Sequence, residues 1–171
     1  MSQLTVEIRP ASERDAAQIA DVHAIAWRGA YAGLIPHKSL QTMIARRHAG
    51  WWKRAIGRGT SVMVVDFGGA IAGYCTFGLN RARALPQDGE IYELYLRPEY
   101  QGLGFGRSLF ESVRAELAAR NLSGLAVQVL SDNGPACAFY KAMGGRLAAK
   151  SWYRSAGKRM GLSVYTWPEL T

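Results

Sequence analysis

Residues 97–107, Arg-Pro-Glu-Tyr-Gln-Gly-Leu-Gly-Phe-Gly-Arg, lie between an apolar, strand-like run at 91–96 and a run of helical periodicity at 108–120. A glycine-rich turn that opens a helix leaves backbone N–H groups without intrachain partners, aimed at one point in space. Gly102, Gly104 and Gly106 allow positive φ there and let a ligand approach the main chain closely. Gln101 and Arg107 frame the turn with side-chain donors. The chemistry is anion binding, and a pyrophosphate fills such a nest well. A plain helix cap needs one glycine; three, spaced by single residues, favour a ligand. Two phosphate motifs are excluded by spacing. The dinucleotide fingerprint needs glycine at its sixth position, which is Arg107 counted from Gly102 and Leu109 counted from Gly104. The P-loop needs Gly-Lys-Ser/Thr, and no such triplet occurs here.

What remains is Gln-x-x-Gly-x-Gly, satisfied by Gln101, Gly104 and Gly106. Downstream, residues 131–145 read Ser-Asp-Asn-Gly-Pro-Ala-Cys-Ala-Phe-Tyr-Lys-Ala-Met-Gly-Gly, and upstream, residues 89–98 read Gly-Glu-Ile-Tyr-Glu-Leu-Tyr-Leu-Arg-Pro. With both blocks in this order, separated by one helix and one strand, the chain resembles the GNAT superfamily of acetyl-CoA-dependent N-acyltransferases. The similarity spans roughly residues 5–167 and is specific from Glu90 to Gly145.

The resemblance implies acetyl-CoA as co-substrate and acetyl transfer to a primary amine of a small molecule or peptide. It implies main-chain pairing of Leu94, Tyr95 and Leu96 with the pantetheine arm, and a main-chain N–H there that polarises the thioester carbonyl. The pyrophosphate would rest on Gln101, Gly102, Leu103, Gly104, Phe105, Gly106 and Arg107. The second block would add Asn133, Ala136, Phe139 and Tyr140: Asn133 as a helix cap and a pantetheine partner, Phe139 as a wall, and Tyr140 as the acid for the departing thiolate.

The base is open between two carboxylates. Period-two alternation puts Glu90, Tyr92, Leu94 and Leu96 on one strand face, and Ile91, Glu93 and Tyr95 on the other. Glu90 matches a slot where some family members carry a catalytic glutamate, but it would need a water relay. Glu93 lies closer and between apolar neighbours, where burial raises a carboxylate pKa; its competing role is as partner of Arg81 or Arg83. The slot on the following strand that holds a base in some relatives is Gln128 here, which closes that route.

Acceptor recognition falls to Trp27, Tyr31 and Tyr92, with Trp152 and Tyr153, since aromatic faces hold cations. Arg28, Arg81 and Arg83 offer a grip on a carboxylate instead. His23 sits on the apolar stripe of a helix and reads as a packed core histidine.

The elements that must position these groups alternate without linkers or repeats. Residues 4–9 read as an edge strand, and a capping box at Ser12 starts a helix to about Ala26. A break at 29–36 precedes one helical region at 38–56. Strands at 62–66 and 70–77 flank a Phe-Gly-Gly hairpin turn. A polar loop leads to strand 90–96, helix 105–120, strand 124–130, helix 134–143, and strands near 145–152 and 161–167. The resulting order, βααβββαβαββ, is that of the GNAT fold: a single-domain α/β architecture with a mixed, mostly antiparallel sheet flanked by helices, covering residues 1–171.

Composition agrees. The chain of 171 residues is 49% hydrophobic, long enough to bury a sizeable core, and has no run approaching a membrane span. Cys75 and Cys137 suggest reduced thiols rather than a disulfide or metal site, which points to the cytoplasm. The net charge of +8 is scattered over several segments, so solvated surface and capture of the CoA phosphates account for it before nucleic acid does. Expected partners are therefore an amine acceptor, with neither nucleic acid nor membrane; a homodimer is common among such folds. The alternative function is a module that binds acyl-CoA and senses it without turnover.

Overall fold

The computed structural model describes residues 4–168. Strand β1 (Val6–Pro10) and a 3-10 turn (Glu13–Asp15) lead into helices α1 (Ala16–Tyr31), α2 (His37–Arg46) and α3 (Ala49–Gly57). Strands β2 (Val62–Phe67), β3 (Ala70–Leu79) and β4 (Gly89–Leu96) follow, then a second 3-10 turn (Pro98–Tyr100) and α4 (Phe105–Ala119). The chain closes with β5 (Leu125–Leu130), α5 (Gly134–Ala142), β6 (Arg146–Ser155) and β7 (Lys158–Trp167). The seven strands are ordered β1-β2-β3-β4-β5-β7-β6. β4 and β5 run parallel, whereas β1–β2, β2–β3, β5–β7 and β6–β7 are antiparallel. A mixed, mostly antiparallel sheet with helices is the expected fold class, and β1 lies at a sheet edge as its alternation requires.

Three boundaries differ from expectation. Helix α1 runs through Gly29 to Tyr31, because His23, Trp27 and Tyr31 stack one turn apart along it, with ring centroids 4.7 and 5.0 Å apart. The single helical region at 38–56 is two helices. Arg47 leaves helical geometry at φ −98° and ψ 43°, and His48 caps the next helix by accepting the Trp51 N–H on its side chain at 3.3 Å. The element order therefore holds one helix more than expected. The final strands are longer, joined by Ala156 and Gly157 at φ 50° and 76°, the positive-φ pair of a tight hairpin.

The chain divides into two compact units, one of residues up to Thr76 with Glu93–Val113, the other of Phe77–Tyr92 with residues from Arg114 onward. In the first, Ala16, Ile19 and Val22 of α1 pack with Trp52, Val62, Val64, Ile71 and Tyr74. Gly73 admits β4: a Cβ there would meet the Tyr95 carbonyl oxygen at 2.5 Å, so no larger residue fits without moving the strand. Arg9 ties β1 to this core, donating to Asp15 at 2.8 and 3.0 Å and to Asp66 at 3.2 and 3.0 Å. Burial works against the Asp15 charge, but the Arg9 hydrogen bonds and the Ser12 N–H outweigh it and hold its carboxyl below the ordinary range. A depressed carboxylate pKa stabilises the fold above the unfolded value and loses that contribution as pH falls through the folded one. Asp15→Ala is expected to cost about 2–3 kcal/mol at pH 7 in urea unfolding, with the deficit shrinking below about pH 4. A constant deficit from pH 7 to pH 3 would remove the ion pair as its cause.

In the second unit, β5 pairs with β4 at Gly89–Leu125, Glu90–Ala126 and Ile91–Val127, and with β7 along its whole length. Its core includes Leu125, Tyr140, Tyr165 and Trp167. Gly144, at φ 91°, ends α5, and a Cβ at Gly145 would strike Trp167 at 2.6 Å, so this glycine pair lets the helix end close on β7.

Candidate active site

The turn after β4 is anchored by Arg97 and an aromatic trio. The Arg97 backbone N–H donates to Ala72 O at 2.8 Å and its Nε to Ile71 O at 3.0 Å, which fixes where the turn leaves the strand. Phe67, Tyr100 and Phe105 pack with centroids 5.6–6.3 Å apart and hold the turn from below. The first helical bond is from Ser108 N–H to Gly104 O at 3.1 Å, so the N–H groups of Phe105, Gly106 and Arg107 precede the ladder at the positive end of α4. Gly102 and Gly104 adopt φ of 78° and 84°, and a Cβ on either would meet no protein atom within 4 Å. The space a side chain would take is open, as an anion requires. Gly106 differs from expectation: it is a buried residue of the first turn of α4 and does not use positive φ. Gln101 and Leu103 are exposed beside the turn, and Arg107 lies 3.8 Å from Glu111.

The two candidate bases have opposite surroundings. Glu90, 1% exposed, accepts from the Arg81 backbone N–H at 2.9 Å, from Nε at 3.2 Å and from Nη2 at 2.9 Å. Arg81 also lies 4.2 Å over the Tyr92 ring, and the Tyr92 hydroxyl donates to Leu79 O at 2.6 Å. These contacts tie the loop before β4 to its strand and occupy Glu90 and Tyr92 with structural work. The arginine expected beside Glu93 is therefore engaged by Glu90 instead.

Glu93 faces α1, the α2–α3 junction and β3. Its Oε1 accepts from Arg47 Nη1 at 3.4 Å and Thr76 Oγ1 at 3.5 Å, and its Oε2 lies 3.9 Å from His23 Nε2. Burial pushes its carboxyl up, against the opposing pull of Arg47, of the Trp27 indole N–H and of Thr76. The indole N–H faces the carboxylate without closing a hydrogen bond of ordinary geometry. His23 is fully buried, and burial together with Arg47 lowers its pKa to about 3, so it is neutral. Among the described residues, neither imidazole nitrogen has a hydrogen-bond partner. His23 is the core histidine expected from the helix stripe, yet it borders the raised carboxylate. A carboxylate that holds its proton more tightly than usual is a stronger base than a solvated glutamate.

Asn133 caps α5, its Oδ1 accepting from Ala136 N at 3.2 Å, so the capping role falls to Asn133 itself. Tyr140 is buried, with its ring near Phe139, Tyr165 and Trp167 at centroid distances of 5.1, 6.5 and 6.0 Å. Of the aromatic acceptor candidates, Trp27 and Tyr31 belong to the same face of α1 as His23, whereas Trp152 is 64% exposed with Arg159 over its ring. Arg47, Thr76 and Arg97 escaped sequence reasoning, since each acts through a residue distant in the chain. Among the described residues no cluster of side chains is suited to hold a metal, and no helix is long and apolar enough to cross a membrane.

A profile of the acetyltransferase (GNAT) family matches residues 19–144. The chain is 31% identical over 166 residues to an uncharacterized N-acetyltransferase, YuaI, of Bacillus subtilis, covering 97% of this chain and 95% of that one. A spermidine N(1)-acetyltransferase of Thermoplasma acidophilum is 23% identical over 138 residues, 80% of this chain and 86% of its own. The crystal structure of the PaiA N-acetyltransferase of that organism in complex with coenzyme A superposes with a TM-score of 0.74 at 16% identity, over 95% of this chain and 99% of the other, a likeness of fold. The family profile over most of the chain and the relative aligned along nearly all of it show that the chain belongs to the GNAT family of acetyltransferases.

Proposed function

We propose that the protein moves the acetyl group of acetyl-CoA directly onto a primary amine, with Glu93 as base and Tyr140 as acid. The observation that carries this reading is the pair of positive-φ glycines, Gly102 and Gly104, whose missing side chains leave open space before the N–H groups of α4. Those N–H groups and the helix dipole suit a pyrophosphate, and the likeness to a fold seen with coenzyme A supports the cofactor. Main-chain groups of Leu94, Tyr95 and Leu96 hold the pantetheine arm, and an N–H there stabilises the oxyanion.

Glu93 takes a proton from the acceptor ammonium, and the freed nitrogen attacks the thioester carbonyl carbon. The C–S bond breaks, Tyr140 protonates the sulfur, and the second proton of the nitrogen restores the tyrosine through solvent. Glu93 is preferred to Glu90 because three Arg81 donors already occupy Glu90. Asn133, although it caps α5, retains its amide N–H groups for the pantetheine.

Consumption of acetyl-CoA against a mixed panel of amines, followed by thiol release, tests the reaction. Thermal stabilisation by CoA with no turnover of any amine would make the protein a sensor instead. Tyr140→Phe is expected to lower kcat about 100-fold while leaving KM for acetyl-CoA within a few-fold, the pattern of a group needed in the transition state. An unchanged kcat would remove Tyr140 from the mechanism.

A further inference from the structure

The ion pair between Glu93 and Arg47 differs from the two forked pairs that brace buried carboxylates elsewhere in the fold. Arg9 grips Asp15 with two arms at 2.8 and 3.0 Å, and Arg81 grips Glu90 with Nε at 3.2 Å and Nη2 at 2.9 Å. Arg47 reaches Glu93 through one nitrogen at 3.4 Å. Its guanidinium is held by ring faces, with Cζ 4.1 Å over Trp51 and 5.5 Å over Trp52. A guanidinium carries five N–H donors, and Arg47 spends one of them on Glu93, which leaves others to receive a carboxylate in a two-armed fork. The Arg47 side chain is 30% exposed and that of Glu93 11%, so both partners can be reached from solvent. The site thus presents a positive group next to a carboxylate of raised proton affinity.

An ammonium group brought to Glu93 meets Arg47 at the same place. A simple amine or polyamine adds a second cation beside the guanidinium and is opposed by it. An acceptor with a carboxylate on the carbon next to its amine brings its own countercharge, and the two dipoles pair head to tail. We infer that the acceptor is a free α-amino acid or a close analogue, its carboxylate held by Arg47 while its ammonium faces Glu93. This assignment rests on the acetyl-transfer reading with Glu93 as base, and it gives Arg47 the role of selecting the substrate. It also gives the weak ion pair a purpose. Arg47 opposes the rise in the Glu93 pKa, and an arriving carboxylate that draws the guanidinium to itself lets Glu93 become the stronger base only when substrate is bound.

The test measures thiol release from acetyl-CoA for L-amino acids, each beside its primary amide and its decarboxylated amine, with spermidine as the polyamine. The carboxylate is expected to raise kcat/KM about 10- to 100-fold over the matched amide, the range for charge-assisted hydrogen bonds. Arg47→Met should bring that ratio close to one, and Arg47→Lys, which keeps the charge but loses the fork, should retain part of it. Amides or spermidine consumed as well as the amino acids, or a ratio that survives in Arg47→Met, would overturn the assignment. If only amines lacking a carboxylate react, this inference falls and acetyl transfer stands; if no amine reacts, both fall.

Discussion

Glu93→Gln is expected to lower kcat by about 10²- to 10⁴-fold, the usual contribution of a positioned general base. Glutamine preserves the shape and can still accept from Arg47 and Thr76, so the loss reports proton abstraction and not a collapsed site. The wild-type pH profile carries an independent mark. Burial raises the Glu93 carboxyl, so the active, ionised form appears only as pH passes a value above the ordinary glutamate range of about 4.3. The acid limb of kcat/KM should sit there and vanish in the variant. The sign for stability is opposite. A folded state that holds the proton more tightly than the unfolded chain has this contribution in full below the unfolded value and loses it as pH rises through the folded one. At pH 8, where the wild-type ion is least comfortable, Glu93→Gln should therefore melt no lower than wild type despite its lost activity. A variant that keeps its kcat, or that loses rate and stability together, would return the role of base to another group.

Gly104→Val is expected to weaken CoA binding about 100-fold by calorimetry, equivalent to losing two charge-assisted hydrogen bonds of ~1.5 kcal/mol each. The side chain would project into the open space before α4, where no protein atom lies within 4 Å. A φ of 84° also strains any L-residue by about 1–2 kcal/mol, so Gly104→Ala is the control that carries the strain with less bulk. Binding lost in the valine variant while both variants remain folded assigns the effect to the anion cradle. Unchanged CoA affinity would move the pyrophosphate elsewhere.

The glycine turn between β4 and α4 was legible because it is local: glycine spacing, a preceding strand and a following helix all lie within a few residues. Strand alternation likewise put Glu90 and Glu93 on opposite faces of β4. Which arginine meets which carboxylate was not legible, since Arg47 lies 46 positions from Glu93 and arrives through a helix junction. That junction was hidden for a related reason. A histidine is an uncommon cap, so the apolar pattern of 38–56 read as one helix. Helix α1 outran its forecast because the stacking of His23, Trp27 and Tyr31 outweighs the weak helix propensity of Gly29.

Strand β6 closes one margin of the sheet, and nine of its ten residues are exposed. An open margin of this length offers main-chain groups to any passing strand, and Arg146, Lys150 and Arg154 with no acidic residue among the ten guard it by mutual repulsion. Two copies joined along this margin would oppose like charges over its full extent. Strand-to-strand pairing of two copies at β6 is thereby disfavoured.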